Sequence, residues 1–415
     1  MKRKRTRVLY FCNLVTDRLI RARALAPSPG SRGPRLLPTM RACREEGICA
    51  WAMSLGRNRQ RGSWKWHPAM TERINGVPVM YAAYWDCPVL THFVTAFSLA
   101  LIAWRLRKRV VSAVFWNAMP HYVLALLVVR FAHIRCILDL EDGPRDDLRN
   151  LRGALERFLI RIWDRWVDAA MVANAQLLDR IQSRPAYVYY GVAPAVFIDR
   201  NWNGQIRFLF SGYLSKETGV EVLISALYGL KERSPEILSR FRVLAAGYGE
   251  LINRMRSAAD GELRGILEFH GLASDAEYQE LLRTSHVGLC LKMPDHSMGQ
   301  TTFPSKVIEF ARWGLLVVSS KVSDVPALFP EDSAVLLEEM AADQLAAAIK
   351  RIIEDPSGSQ RRAKTGQRVI AGRLDPGIVA QDLACLWSGS ALNSDTRFGE
   401  AAVDAHASIS AAERT

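Results

Sequence analysis

Two kinds of hydrophobic pattern alternate along this chain. Short, nearly unbroken apolar runs at 8–11, 48–55, 77–84, 110–115, 135–140 and 169–174 read as strands buried on both faces. The same pattern returns from 206 and at 241–246, 267–271, 286–291 and 315–320. Between these runs lie stretches whose apolar positions recur every three or four residues, at 36–46, 88–104, 122–132, 150–170, 221–230, 278–284, 341–353, 361–370 and 375–387, and these predict helices. Strands separated by helices predict an α/β protein with parallel sheets. At 415 residues the chain exceeds what one core supports, so two domains are expected, with a boundary near 198, before the polar stretch 199–205.

The best-formed unit is 303–314, FPSKVIEFARWG, followed at once by the apolar run LLVVSS. Pro304 suits the opening turn of a helix, Val307, Ile308 and Ala311 give it an apolar face, and Gly314 can close it in the left-handed conformation. Its N-terminal end presents Ser305 and Lys306 beside free backbone N–H groups, where a nucleotide diphosphate would be held. Glu309 falls one turn along the same face, at a distance suited to ribose hydroxyls.

Charge adds an asymmetry. The net charge is +13, but residues 1–200 carry 32 Lys and Arg against 15 Asp and Glu, whereas 201–415 carry 23 against 27. Basicity confined to one half speaks against a nucleic-acid binder and for a surface that rests on acidic lipid head groups or faces a phosphorylated acceptor; ordinary solvated faces in an Arg-rich chain are the alternative. The stretch 88–104 is apolar and is closed by the basic run 105–109, RLRKR. It reads as an amphipathic helix on a membrane surface, as a plain buried helix, or as a span at the lower length limit. The apolar run 8–15 is too short for a signal peptide, and Asp17-Arg18 interrupts it. Cys12, Cys43, Cys49, Cys87, Cys136, Cys290 and Cys385 form no CxxC pair, which predicts a reducing compartment and no metal site. These readings place the protein in the cytoplasm, peripherally on the inner face of the membrane.

The unit at 303–314 resembles the donor-binding segment of GT-B glycosyltransferases, family 4 above all, which carries Pro-Ser-Lys, then Glu, then Gly and a hydrophobic strand. Other segments follow in matching order. The chain at 206–220 is similar to that family's strand, glycine turn and helix, with Gly212 and Lys216, and 247–250 (GYGE) to its next glycine loop; Phe269-His270-Gly271 resembles its F-x-G step, and Tyr190-Gly191-Val192 its interdomain turn. Gly30 and Gly33 stand where the family has its first glycine loop, although a surface turn would look the same. Three positions depart from the pattern. Tyr213 and Thr218 replace the Arg and Lys that neutralise the donor diphosphate, and Thr301 replaces a first acid eight positions before Glu309.

The resemblance spans about 5–388 and implies two Rossmann-like domains with parallel sheets facing a central cleft. Residues 1–198 would bind the acceptor, 199–374 the nucleotide sugar, and a helix at 375–388 would return to the first domain; 389–415, without apolar period, reads as disordered. Gly212, Lys216, Gly247, Gly249, Ser305, Lys306 and Glu309 would hold the donor, with Lys306 and Lys216 bearing the leaving-group charge. In open parallel sheets ligands collect at the carboxyl ends of strands, which puts His121 and the pair Glu141-Asp142 beside an acceptor. Either could take the acceptor proton; equally, His121 could be a packed histidine and the two acids a helix cap. The resemblance further implies retention of configuration without metal or cofactor other than the nucleotide-sugar donor, and a saccharide or lipid-linked acceptor in surface polysaccharide assembly. Two other functions fit the fold: a non-catalytic scaffold that partners another transferase, or a sugar-nucleotide epimerase.

Overall fold

The structure, a computed structural model, describes residues 6–25, 35–57, 64–87, 90–141, 151–183, 185–294 and 302–390. The chain forms two compact units: 1–192 together with the segment from Pro376, and Ala193–Asp375. The division falls at Ala193 rather than near 198, because the Ala193 N–H donates to the Leu374 carbonyl at 2.9 Å and the Val196 N–H to that of Arg312 at 2.8 Å. The polar stretch 199–205 therefore lies inside the second unit.

The first unit runs β1 Thr6–Cys12, α1 Asp17–Arg23, α2 Leu36–Glu45, β2 Ile48–Ser54, β3 Trp66–His67, β4 Met70–Ile74, β5 Val77–Tyr81, β6 Tyr84–Trp85 and α3 Leu90–Leu106. It continues through β7 Ser112–Trp116, α4 Val123–Phe131, β8 Arg135–Leu140, α5 Leu151–Trp166, β9 Ala169–Val172 and β10 Ala186–Val188. The eight-stranded sheet has the order β10-β9-β8-β7-β1-β2-β5-β4 and is parallel except at β4. Phe11 on β1 stacks on Phe115 of β7 with ring centroids 4.6 Å apart, which locks the two central strands together.

Helix α1 and strand β4 are among the elements missing from the hydrophobic pattern. Helix α1 has only seven residues, and its start is fixed by Thr16, whose Oγ1 accepts the Leu19 N–H at 3.2 Å. Strand β4 has no apolar run because it is a partly exposed sheet edge. Its signal was Asn75-Gly76: both residues take positive φ, 48° and 84°, as a two-residue hairpin turn requires.

Helix α3 is neither a span nor a plain buried helix. No described helix is long and apolar enough to cross a membrane. Its small side chains, Thr91, Thr95, Ala96, Ala100 and Ala103, pack inward with Leu99, while Phe93, Phe97, Leu101 and Trp104 stand exposed.

The second unit runs β11 Ile206–Tyr213, α6 Val220–Arg233, β12 Phe241–Tyr248, α7 Ile252–Asp260, β13 Leu267–Phe269, α8 Asp275–Thr284 and β14 Val287–Cys290. It ends with α9 Lys306–Arg312, β15 Leu316–Ser320, α10 Val325–Leu328, β16 Val335–Leu337, α11 Ala342–Glu354 and α12 Pro356–Arg373. Its six strands are all parallel, in the order β13-β12-β11-β14-β15-β16. In each sheet the first strand is central, the next two parallel strands step outward on one side, and the chain then crosses to the other. The crossings fall between β1 and β7 and between β11 and β14, the switch points at which open sheets bind ligands.

A last helix, α13 Pro376–Ser388, belongs to the first unit. Trp387, 1% exposed, meets Tyr10 edge-on at 6.2 Å, and Asp382 accepts the Tyr187 hydroxyl at 3.1 Å. The tail read as disordered lies outside the described residues beyond 390. Truncating so large a buried side chain leaves a cavity, so Trp387→Ala is expected to lower stability by about 3–5 kcal/mol. Guanidinium denaturation checks this: an unmoved midpoint would mean that α13 contributes nothing to the first unit's core.

Candidate active site

The carboxyl edge of the second sheet is shaped by glycines. At Gly247 (φ 156°) a Cβ would come within 2.0 Å of the Gly212 carbonyl oxygen, and at Gly249 (φ 150°) within 2.4 Å of that of Leu214. No side chain fits at either place, so at Gly212, Gly247 and Gly249 the chain is bare, closely apposed backbone, flanked by the side chains of Tyr213 and Tyr248. Gly212, at φ 133°, has the Lys306 side chain above it: a Cβ there would be 4.0 Å from Lys306 Cε.

Lys306 opens α9. Ser305 is the N-cap residue but makes no side-chain capping bond, and Pro304 precedes it, so the helix starts two residues later than the proline suggested. The chain at 306–309 places Lys306 and Glu309 on one face, Nζ to Oε2 at 2.6 Å. Tyr278, from α8, joins them: its hydroxyl accepts from Lys306 at 2.7 Å, donates to Glu309 at 2.9 Å, and lies 3.0 Å from Ser211 Oγ. The Lys306 ammonium also sits over the Tyr278 ring at 4.5 Å. Burial works against the Lys306 charge, yet Glu309 and Tyr278 outweigh it and hold the ammonium above the usual lysine range. Burial pushes the Tyr278 hydroxyl up to about 12, against the opposing pull of Lys306. Tyr278 escaped the sequence reading because nothing in a helical pattern tells which polar residue will reach a strand end from another element.

The other predicted donor residues are placed differently. Lys216 is exposed on the turn after β11, where its carbonyl accepts the Gly219 N–H at 3.2 Å; it is not part of the Lys306 group. Thr218 ties that turn instead, its Oγ1 donating to the Tyr213 carbonyl at 2.7 Å and accepting the Ser215 N–H at 3.1 Å. Tyr213 stands edge-on to Tyr248 at 5.4 Å, an exposed aromatic pair where the family pattern would have charge.

In the first unit His121 follows β7 and is buried. It contacts Arg57, which follows β2, and His92, in the first turn of α3. Burial, then Arg57 and His92, push the His121 imidazole down to about 3, so it is neutral at physiological pH and a weak proton acceptor. Glu141, at the end of β8, is engaged: its carboxylate accepts the Trp116 indole N–H at 2.5 Å and pairs with Arg35 at 3.5 Å. Asp142, Gly30, Gly33 and Thr301 lie outside the described residues. Arg57 and His92 were not among the sequence candidates, although Arg57 follows a strand's carboxyl end just as His121 does.

Among the described residues no three His, Cys, Asp or Glu side chains gather as a metal site. A cavity of about 690 Å³ opens beside Leu316 and Val335, at the amino ends of β15 and β16; its charges are balanced, with Arg362 already 2.8 Å from Asp332. It lies at the wrong end of the sheet for a ligand of this fold.

Residues 205–355 match the family described as Glycosyl transferases group 1. No curated protein matches the sequence. Among solved structures, the Anabaena protein Alr3699/HepE in complex with UDP is similar at a TM-score of 0.65 and 14% identity, over 92% of this chain and 100% of that one. A glycosyltransferase from Rickettsia africae gives 0.63 at 12% identity, over 93% and 99%. The Escherichia coli structure described as trehalose-6-phosphate bound with UDP-2-fluoro glucose gives 0.62 at 13%, over 93% and 100%.

The glycine approach gives a contrast that can be measured. Gly247→Ala is expected to destabilise by more than about 2 kcal/mol, since both the contact and the backbone conformation resist a side chain. Gly204→Ala, at a position with open space around it, should stay within about 0.5 kcal/mol of the parent. Equal midpoints for the two variants in urea would refute the close approach.

Proposed function

We propose that this protein, which has the GT-B fold and whose residues 205–355 match the glycosyl transferases of group 1, moves a sugar from a nucleotide-sugar donor to a saccharide or lipid-linked acceptor. The observation that carries the reading is the charged Lys306 paired with Glu309 over Gly212, at the carboxyl edge of the second sheet. A diphosphate laid along the backbone of Gly212, Gly247 and Gly249 would meet the Lys306 ammonium beside Ser305 at the start of α9, while Glu309, released from Lys306, would accept from ribose hydroxyls. Lys306 then takes the charge that develops on the leaving diphosphate, with Lys216 as a second cation brought in from its exposed turn. This chemistry calls on no metal, and it suits a retaining transfer in which the leaving phosphate receives the acceptor proton. His121, held neutral and hard to protonate, and Glu141, tied to Trp116 and Arg35, fit that division of labour better than they fit a general base.

The acceptor belongs to the first unit. Its helix α3 turns Phe93, Phe97, Leu101 and Trp104 outward, carries Arg105 in its last turn and is followed by Arg107, Lys108 and Arg109, the composition of a helix seated at an anionic lipid surface. We therefore read the protein as peripheral on the cytoplasmic face of a membrane, acting in surface or exopolysaccharide assembly. A second reading, a GT-B scaffold that partners another transferase, draws on Tyr213 and Thr218, since Thr218 serves the turn rather than a phosphate.

Three measurements test these statements. Uridine diphosphate should raise the melting temperature of the parent, and Lys306→Ala or Glu309→Ala should abolish that shift. The same variants should lose about 10²–10³ of the rate of UDP release from a nucleotide sugar; a parent that neither binds nor turns over any nucleotide sugar would leave the scaffold reading standing. Replacing Phe93 and Phe97 by Ser should release the protein from phosphatidylglycerol vesicles in co-sedimentation, and parental binding should weaken as salt rises. Equal sedimentation of parent and variant would remove α3 from the membrane.

A further inference from the structure

Arg57, His92 and His121 make a cationic group for which the mechanism above has no use. They come from three separate places in the first unit: the segment after β2, the first turn of α3 and the turn after β7. The last of these follows the strand that flanks the switch point. Arg57 Nη2 lies 3.3 Å from His92 Nδ1, both contact His121 Nε2 more closely, and the two imidazole rings are 4.7 Å apart.

Counting donors against acceptors shows what the group lacks. Arg57 offers five N–H groups and each neutral imidazole one, but His121 Nε2 has a single lone pair for two neighbours that both point at it. If Nε2 accepts, the proton sits on His121 Nδ1, which is buried and has no hydrogen-bond partner. The hydroxyls of Tyr84 and Tyr122, both of which act on the Arg57 charge, are likewise buried without partners. Among the described residues, no carboxylate is among the groups that act on Arg57, His92 or His121. A half-buried guanidinium with surplus donors around it is completed by an anion. His92 is exposed, so the group is open to solvent on that side.

We propose that Arg57, His92 and His121 form a subsite for an anionic oxygen group of the acceptor, a phosphate monoester or diester. The proposal deepens the acceptor assignment and rests on it. Arg57 would grip two of the phosphate oxygens, and His92 would close the site from the solvent side. Phe93 and Leu90 on the exposed face of α3 stand beside His92, so the phosphate of a lipid-linked acceptor and that of a soluble sugar phosphate could both reach it.

The test uses the full-length protein with Arg57→Gln and His92→Gln; His121 is left intact because its burial makes misfolding the first consequence of a change. Calorimetric titration with a hexose phosphate, with the parent hexose and with inorganic phosphate should show the hexose phosphate bound at least tenfold more tightly than the hexose. Arg57→Gln should weaken hexose phosphate about 10–100-fold, while the UDP-induced melting shift stays at the parental value. Lys306→Ala should do the reverse, so that a failed donor site and a failed acceptor subsite give different results. In a second arm, vesicles of phosphatidylcholine with and without phosphatidic acid are offered to parent and Arg57→Gln. Loss of the phosphatidic acid preference with hexose phosphate unbound would assign the site to lipid phosphate, and the converse to a soluble sugar phosphate. Parental affinity for every phosphate probe in both variants, or equal binding of hexose and hexose phosphate with no vesicle preference, would overturn the proposal.

Discussion

At the end of two adjacent strands the backbone comes so close that no Cβ can exist: Gly247 sits against the Gly212 carbonyl, and Gly249 against Leu214. The shape of the second unit's carboxyl edge depends on that contact. The strip is narrow: Tyr213 and Tyr248 stand exposed beside it, and between them the two strands are held at glycine contact distance. The Lys306 side chain spans this strip from α9, and Tyr278 fixes it from α8. Lys306 keeps its charge because its counterion is a near neighbour on the same helix, so the pair is balanced.

The first unit repeats the same sheet plan with a different lining. Where the second unit presents glycine, lysine and glutamate, the first presents aromatic rings and cations: Phe11 on Phe115, then Arg57 with two imidazoles. The strand order alone would give two equivalent edges. What separates them is that one meets in glycines beneath a paired lysine, while the other leaves buried polar atoms such as His121 Nδ1 and the Tyr122 hydroxyl without partners.

Much of this plan could be read from sequence because parallel strands buried on both faces must be continuous apolar runs, and such runs need no partner to be noticed. The unit around 303–314 was legible for a similar reason: proline, a short apolar stripe and glycine each act locally. The parts that escaped rest on contacts between distant segments or on short elements. Tyr278 meets Lys306 from another helix, and Arg57 and His92 reach His121 across two loops. Strand β4 was hidden because an edge strand alternates weakly, although Asn75-Gly76 announced its turn. Lys216 was assigned by position in a motif, and a flexible side chain on an exposed turn is where position alone says least.

The first unit is assembled from both ends of the chain, since Trp387 on α13 packs against Tyr10 on β1. During translation the ribosome delivers β1 first and α13 last, after the whole of the intervening unit has emerged. The nascent amino-terminal sheet must therefore wait, with the surface destined for Trp387 still wet, while the later unit has every residue it needs to close. The order of synthesis and the order of completion are inverted, so the amino-terminal sheet stays open longer than the unit made after it.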